Sequence, residues 1–173
     1  PFNPYSSPIH DLPISCVFVA SYLETASHLF EQYELQMPLP LYLKNFFRNN
    51  HKFGSRDRNY IAELLYGIYR LGPQTAQLSV KDRLLVGSVL SGRLPKLFYE
   101  KCDPALAAIY ENTFEEKLNW AAQTYGISIP IPAALSEGIT EEKFLAHLFS
   151  KPRMFIRIRK DRKDVLEILN KKE

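Results

Sequence analysis

The chain has 173 residues, a formal net charge of +3, 46% hydrophobic and 24% charged residues. That balance excludes intrinsic disorder, and 7 Gly with 12 Pro exclude a collagen-like repeat. The longest purely apolar runs are about four residues, as in Val17-Phe18-Val19-Ala20, which is too short to span a bilayer, and no basic residue precedes Lys44 to mark a secretory signal. A reduced, cytoplasmic chain with no membrane partner is the expectation. A chain that opens on Pro1 is also expected to have been processed or cut from a longer one.

Residues 1–14 carry Pro1, Pro4, Pro8 and Pro13 and predict an extended arm. From Ser15 to about Glu34, Val19, Leu23, Ala26, Phe30 and Tyr33 recur at steps of four and three, which predicts one helical face. Pro38 and Pro40 interrupt the chain, and Leu39, Leu43, Phe46 and Phe47 mark a second, shorter helix. Gly54 closes a turn, with Ser55 expected as N-cap and Asp57 in the first turn of a helix carrying Ile61, Leu64, Leu65 and Ile68. Gly72-Pro73 ends it. Ser79 and Asp82 start another helix, with Leu84, Leu85 and Val89 inward and Gly92 at its stop. Asp103-Pro104 opens a short helix. Thr113-x-x-Glu116 forms a capping box ahead of Phe114, Leu118, Ala121 and Tyr125, which Gly126 closes. Ile127 to Gly138 reads as a loop and the best candidate boundary, after which Thr140 caps a helix with Phe144, Leu145, Leu148 and Phe149.

After Lys151-Pro152 the period changes from 3.6 to 2. Met154, Ile156 and Ile158 alternate with Arg153, Phe155, Arg157 and Arg159, predicting a strand with one apolar and one cationic face, and Val165, Leu166 and Leu169 mark a last helix. The expected fold is mainly α, a bundle of six or seven helices followed by a single β-strand and an α-helix. A lone strand leaves its backbone groups unpaired, so the sequence is read as ending in the first piece of a second domain.

The residues offer little for catalysis. Cys16 and Cys102 cannot alone build a disulfide scaffold or a four-cysteine zinc site, and both read as structural. His10, His28, His51 and His147 lack metal-ligand spacing, and Gly87 to Gly92 lacks the Lys and Ser/Thr of a phosphate loop. Charge is more informative. Residues 40–99 hold ten Lys/Arg against three Asp/Glu, and residues 151–173 hold nine against four, with acidic blocks at 1–39 and 100–150. Around residues 44–58, cations interleave with aromatics, a composition that suits phosphates and unpaired bases. Phe46 and Phe47 also fit a core stripe. Asp57, between Arg56 and Arg58, either fixes the turn from within or leaves both arginines facing a ligand.

The stretch Tyr42-Leu43-Lys44-Asn45-Phe46-Phe47-Arg48, then Lys52-Phe53-Gly54-Ser55-Arg56-Asp57-Arg58, Ile61 to Gly67 and Tyr69-Arg70 resembles the N-terminal region of bacterial Sun/Fmu-type RNA cytosine-C5 methyltransferases, of the NOL/NOP/Sun family. Lys151-Pro152-Arg153-Met154-Phe155-Ile156-Arg157-Ile158 is similar to the segment that opens that family's catalytic half, with Ile158 and Arg159 where Val-Asn is usual. Residues 73–150 fit only by helical pattern. The resemblance implies a NusB-like helical RNA-binding domain over 15–138, and a linker helix with the start of an RRM-like subdomain over 139–173. It implies no catalytic residue and no cofactor in this chain. S-adenosylmethionine would belong to the full-length parent, whose catalytic domain is missing here, and the partner would be RNA, in particular ribosomal RNA. The residues expected to contact it are Lys44, Arg48, Lys52, Arg56, Arg58, Arg70, Arg153, Arg157, Arg159 and Lys160. The alternative is a stand-alone NusB-like module that binds RNA or protein in transcription antitermination or ribosome assembly.

Overall fold

A computed structural model of the chain describes residues 17–150. The arm over 1–14, the strand around Ile156 and the helix after it lie outside the described residues, as do Arg153, Arg157, Arg159 and Lys160. Within the described residues the regular structure is entirely helical. The helices are α1 (Val17–Gln32), α2 (Leu39–Asn49), α3 (Ser55–Leu71), α4 (Val80–Ser91), α5 (Lys96–Cys102), α6 (Pro104–Tyr110), α7 (Phe114–Tyr125) and α8 (Glu141–Phe149), with a 3-10 turn at Pro73–Thr75.

The side-chain caps follow local chemistry. Ser79 accepts from the N–H of Asp82, Asp103 from Ala105, Thr113 from Glu116 and Thr140 from Lys143, each satisfying an orphan donor of the first turn. Gly92 and Gly126 end α4 and α7 in the left-handed region, at φ 61 and 64. Two expectations need correction. Gly54, not Ser55, is the N-cap of α3, because the Asp57 carboxylate reaches back to the Gly54 N–H at 2.8 Å and draws Ser55 into the helix. The described residues also hold one helix more than expected: α5, only seven residues long and entered through Pro95, carries too few turns to display a period.

The bundle is organised around α4. A helix with one stripe was expected, but Leu84, Leu85, Val86, Gly87, Ser88, Val89 and Leu90 are all buried, so α4 is enclosed on every side along its second half. On one side it joins the main core, with Val19, Leu23, Ala26 and Leu29 of α1, Ile61, Leu64, Leu65 and Ile68 of α3, and Phe98, Tyr99 and Cys102 of α5. Cys102 is thus a packing residue. On the other side Val86 and Leu90 meet Leu71, Ala121, Ile127 and Phe149 in a smaller cluster. Phe149 is the anchor of α8, 1% exposed and tilted against the Phe114 ring at 5.8 Å, whereas Phe144, Leu145 and Leu148 are only half-buried.

α3 and α4 form the most extensive helix pair, and two glycines set their approach. A Cβ on Gly67 would stand 2.7 Å from the carbonyl carbon of Gly87, and one on Gly87 would meet the Gly67 carbonyl closer still. The backbones touch there directly.

Candidate nucleic-acid interface

The α2–α3 turn is held from within. Phe47 and Phe53 are buried, and the Phe46, Phe47 and Phe53 rings meet one another at centroid distances of 5.3 to 5.9 Å. The Asn50 amide donates to the Phe46 carbonyl at 2.8 Å, and the Arg58 Nε donates to the Phe53 carbonyl at 2.8 Å while its guanidinium lies 5.9 Å from the Phe47 ring. Asp57 completes the frame. One carboxylate oxygen accepts from Gly54, and the other accepts from the Tyr22 hydroxyl of α1 at 2.6 Å, tying the turn to a helix 35 residues away. Asp57 thus fixes the turn, through Tyr22 and Gly54, with no arginine ion pair among the described residues.

The Tyr22 hydrogen bond, then the Gly54 N–H, holds the Asp57 carboxyl below its ordinary 3.8, and burial with the Asp57 hydrogen bond pushes the Tyr22 phenol up to about 12. A depressed carboxyl contributes stability above its unfolded value and loses it as pH falls through the folded one. Asp57→Ala is expected to cost about 1 kcal/mol at pH 7, a figure limited by the solvent around this carboxylate, and to lower Tm by about 3 °C. The deficit relative to the unsubstituted chain should shrink as pH drops below 4, which thermal melts across pH 2.5–7 would read. A deficit unchanged by acid would remove the carboxylate from this role.

Over this frame stand the cations. Lys44, Arg48, Lys52 and Arg56 are exposed and form no ion pair among the described residues, where the ion pairs are Arg93–Glu63, Lys96–Glu100 and Lys96–Glu111. Lys44 and Arg48 are one helical turn apart on α2, and the Lys52 ammonium sits 5.1 Å from the Phe53 centroid. Arg58 belongs to the same region and is likewise exposed without an ion pair among the described residues, but its Nε is tied to the scaffold at the Phe53 carbonyl.

Arg70 is not with them. Fourteen residues along α3 from Arg56, it lies about 21 Å away along the helix axis. It is half-buried beside Tyr66, with its guanidinium pulled below its usual range by burial and then by Arg93. Arg93 bonds Glu63 at 3.1 Å and the Ser150 carbonyl at 2.9 Å, so this end of α3 is a structural junction with the end of α8.

Sequence reasoning missed the walls of the site. A groove of about 350 Å³ opens between α1, the start of α3 and α5, lined by Phe18, Val19, Tyr22, Arg56, Asp57, Tyr60, Leu97, Phe98 and Lys101. Phe18 is 72% and Leu97 57% exposed. A second hollow, also about 350 Å³, lies further along α1 between Glu24, Thr25 and His28 and the aromatic turn, with Phe46, Asn50, Lys52 and Phe53. The available signal was the helical spacing of Phe18, Tyr22 and Thr25, a face adjacent to the core stripe. Lys101 gave none, because α5 itself was not legible.

Among the described residues no group of three or more His, Cys, Asp or Glu converges as a metal site, and no helix is long and apolar enough to cross a membrane. No protein-family model, no curated protein and no solved structure gives a significant match to the chain.

Proposed function

We propose that this chain is an RNA-binding helical module, NusB-like in its bundle. In this reading it is the RNA-recruiting N-terminal portion of a cytoplasmic S-adenosylmethionine-dependent RNA cytosine-C5 methyltransferase acting on ribosomal RNA. The observation that carries it is the set of exposed cations without ion-pair partners among the described residues, Lys44 and Arg48 on α2, Lys52 in the turn and Arg56 at the start of α3, around an internally tied frame. Such a frame fixes the backbone from which the charges project without consuming them. Phosphate contacts position RNA and release counterions, while the chemistry would be supplied by a catalytic domain with its own cofactor loop and nucleophile. The resemblance of Tyr42 to Arg70 to the Sun/Fmu type supports the assignment to that enzyme class, since the same turn is its most specific part.

Four phosphate contacts predict a salt slope of about −3 for single-stranded RNA, so affinity should fall about fiftyfold between 50 and 200 mM salt. Fluorescence anisotropy with a labelled ribosomal RNA hairpin at the two concentrations measures it. Absence of binding at 50 mM defeats the RNA reading. Salt-dependent binding by the fragment together with methylation of the same RNA by the longer protein is the result that carries the enzyme assignment.

A further inference from the structure

Resting on that RNA reading, we infer that the groove along α1 is a seat for unpaired bases of single-stranded RNA, with Lys52, Arg56 and Lys101 gripping the phosphates beside them. The two hollows follow one another on the same helix, one at Phe18 and Tyr22 and the next at Thr25 and His28. Six residues of helix put them about 9 Å apart. Each combines an aromatic wall with a cation. The first has Tyr60, edge-on to Tyr22 at 5.5 Å and to Phe98 at 5.7 Å, with Arg56 and Lys101 at its sides. The second has the half-buried Phe46, with Lys52 beside it, over a buried Phe53.

Aromatic platforms beside backbone-tracking cations are how unpaired strands are held, because every base offers a π-face and every linkage a charge. A duplex keeps its bases stacked and paired, so it can use the cations but not the hollows. In the first hollow two cations, Arg56 and Lys101, stand against one acid, Asp57, whose oxygens accept from Tyr22 and Gly54. Glu24, the acid of the second, suits the exocyclic amine of a base, which donates to carboxylates. A partner helix fits less well, since it needs one continuous apolar strip for anchors at i, i+4 and i+7, and this floor falls into two separate hollows, each with a cation in its lining.

Phe18 is the probe residue, because at 72% exposure its removal leaves the core intact. Anisotropy with a fluorescein-labelled eight-nucleotide single strand and with a duplex of equal phosphate number, at 50 mM salt, separates the possibilities. The single strand is expected to bind about tenfold tighter. Phe18→Ala should weaken the single strand about tenfold and leave the duplex unchanged, and Lys101→Gln should reduce the single-strand salt slope by about 0.7. Equal affinity for both RNAs, or a single strand indifferent to Phe18→Ala, overturns the groove assignment while the RNA reading stands. Failure of both RNAs to bind overturns both readings together. A Glu- and Leu-rich helical peptide that displaces the single strand, and is itself weakened by Phe18→Ala, assigns the groove to a protein partner and overturns the inference.

Discussion

Gly87→Ala is expected to destabilise the fold by about 3 kcal/mol. Two effects oppose each other. Alanine is the better helix former by about 1 kcal/mol, so in an exposed helix the exchange would stabilise. Here the new methyl would meet the carbonyl group of Gly67 and the Ile68 nitrogen, main-chain atoms with no rotamer through which to withdraw. Relief requires α3 and α4 to separate, and their separation would loosen Leu64, Leu65 and Ile68 from Leu84, Leu85 and Val89, all buried in one cluster. Steric cost wins. Against a total stability of about 5–15 kcal/mol, this loss should lower Tm by roughly 10 °C. Gly67→Ala should behave alike, since its methyl would clash with Gly87 in turn. Thermal melts by circular dichroism decide the matter, and a Tm within 2 °C of the unsubstituted chain would show that the helices do not cross on these glycines.

Reversing the charge at Lys44, Arg48 and Lys52 together is expected to abolish most RNA affinity while sparing the fold. The three are exposed and free of ion pairs among the described residues, so little stabilising contact is lost beyond the Lys52–Phe53 approach, about 0.5–1 kcal/mol. Removing three phosphate contacts should reduce the salt slope by about 2, and the new carboxylates add repulsion, for a loss of at least a hundredfold at 50 mM salt. Arg58→Ala gives the opposite signature. It deletes the bond to the Phe53 carbonyl and the contact with Phe47, so Tm should fall by a few degrees with affinity nearly unchanged. Anisotropy and melting measured on both variants test the division between gripping and scaffold residues. A triple variant that still binds tightly would move the RNA site elsewhere on the molecule.

Legibility followed the range of the interaction. The α1 stripe of Val19, Leu23 and Ala26 lies where its spacing predicts, and the caps at Ser79, Asp103, Thr113 and Thr140 were readable because a cap is completed within three residues. The cations of the site were readable as residue types. Their contacts were not: Arg56 and Arg58, two positions apart and both exposed, differ because only Arg58 bonds the Phe53 carbonyl.

Residue order alone therefore determined the helical class, most helix starts and stops, and the basic block at the second turn, since each depends on neighbours a turn or two away. Tertiary structure decided the rest: the Tyr22–Asp57 bond across 35 positions, the Gly67–Gly87 crossing, and the groove that unites Phe18, Tyr60 and Lys101. Those features arise from surfaces of separate helices meeting. Their geometry is set by how whole side-chain layers close-pack, which no local period or cap encodes.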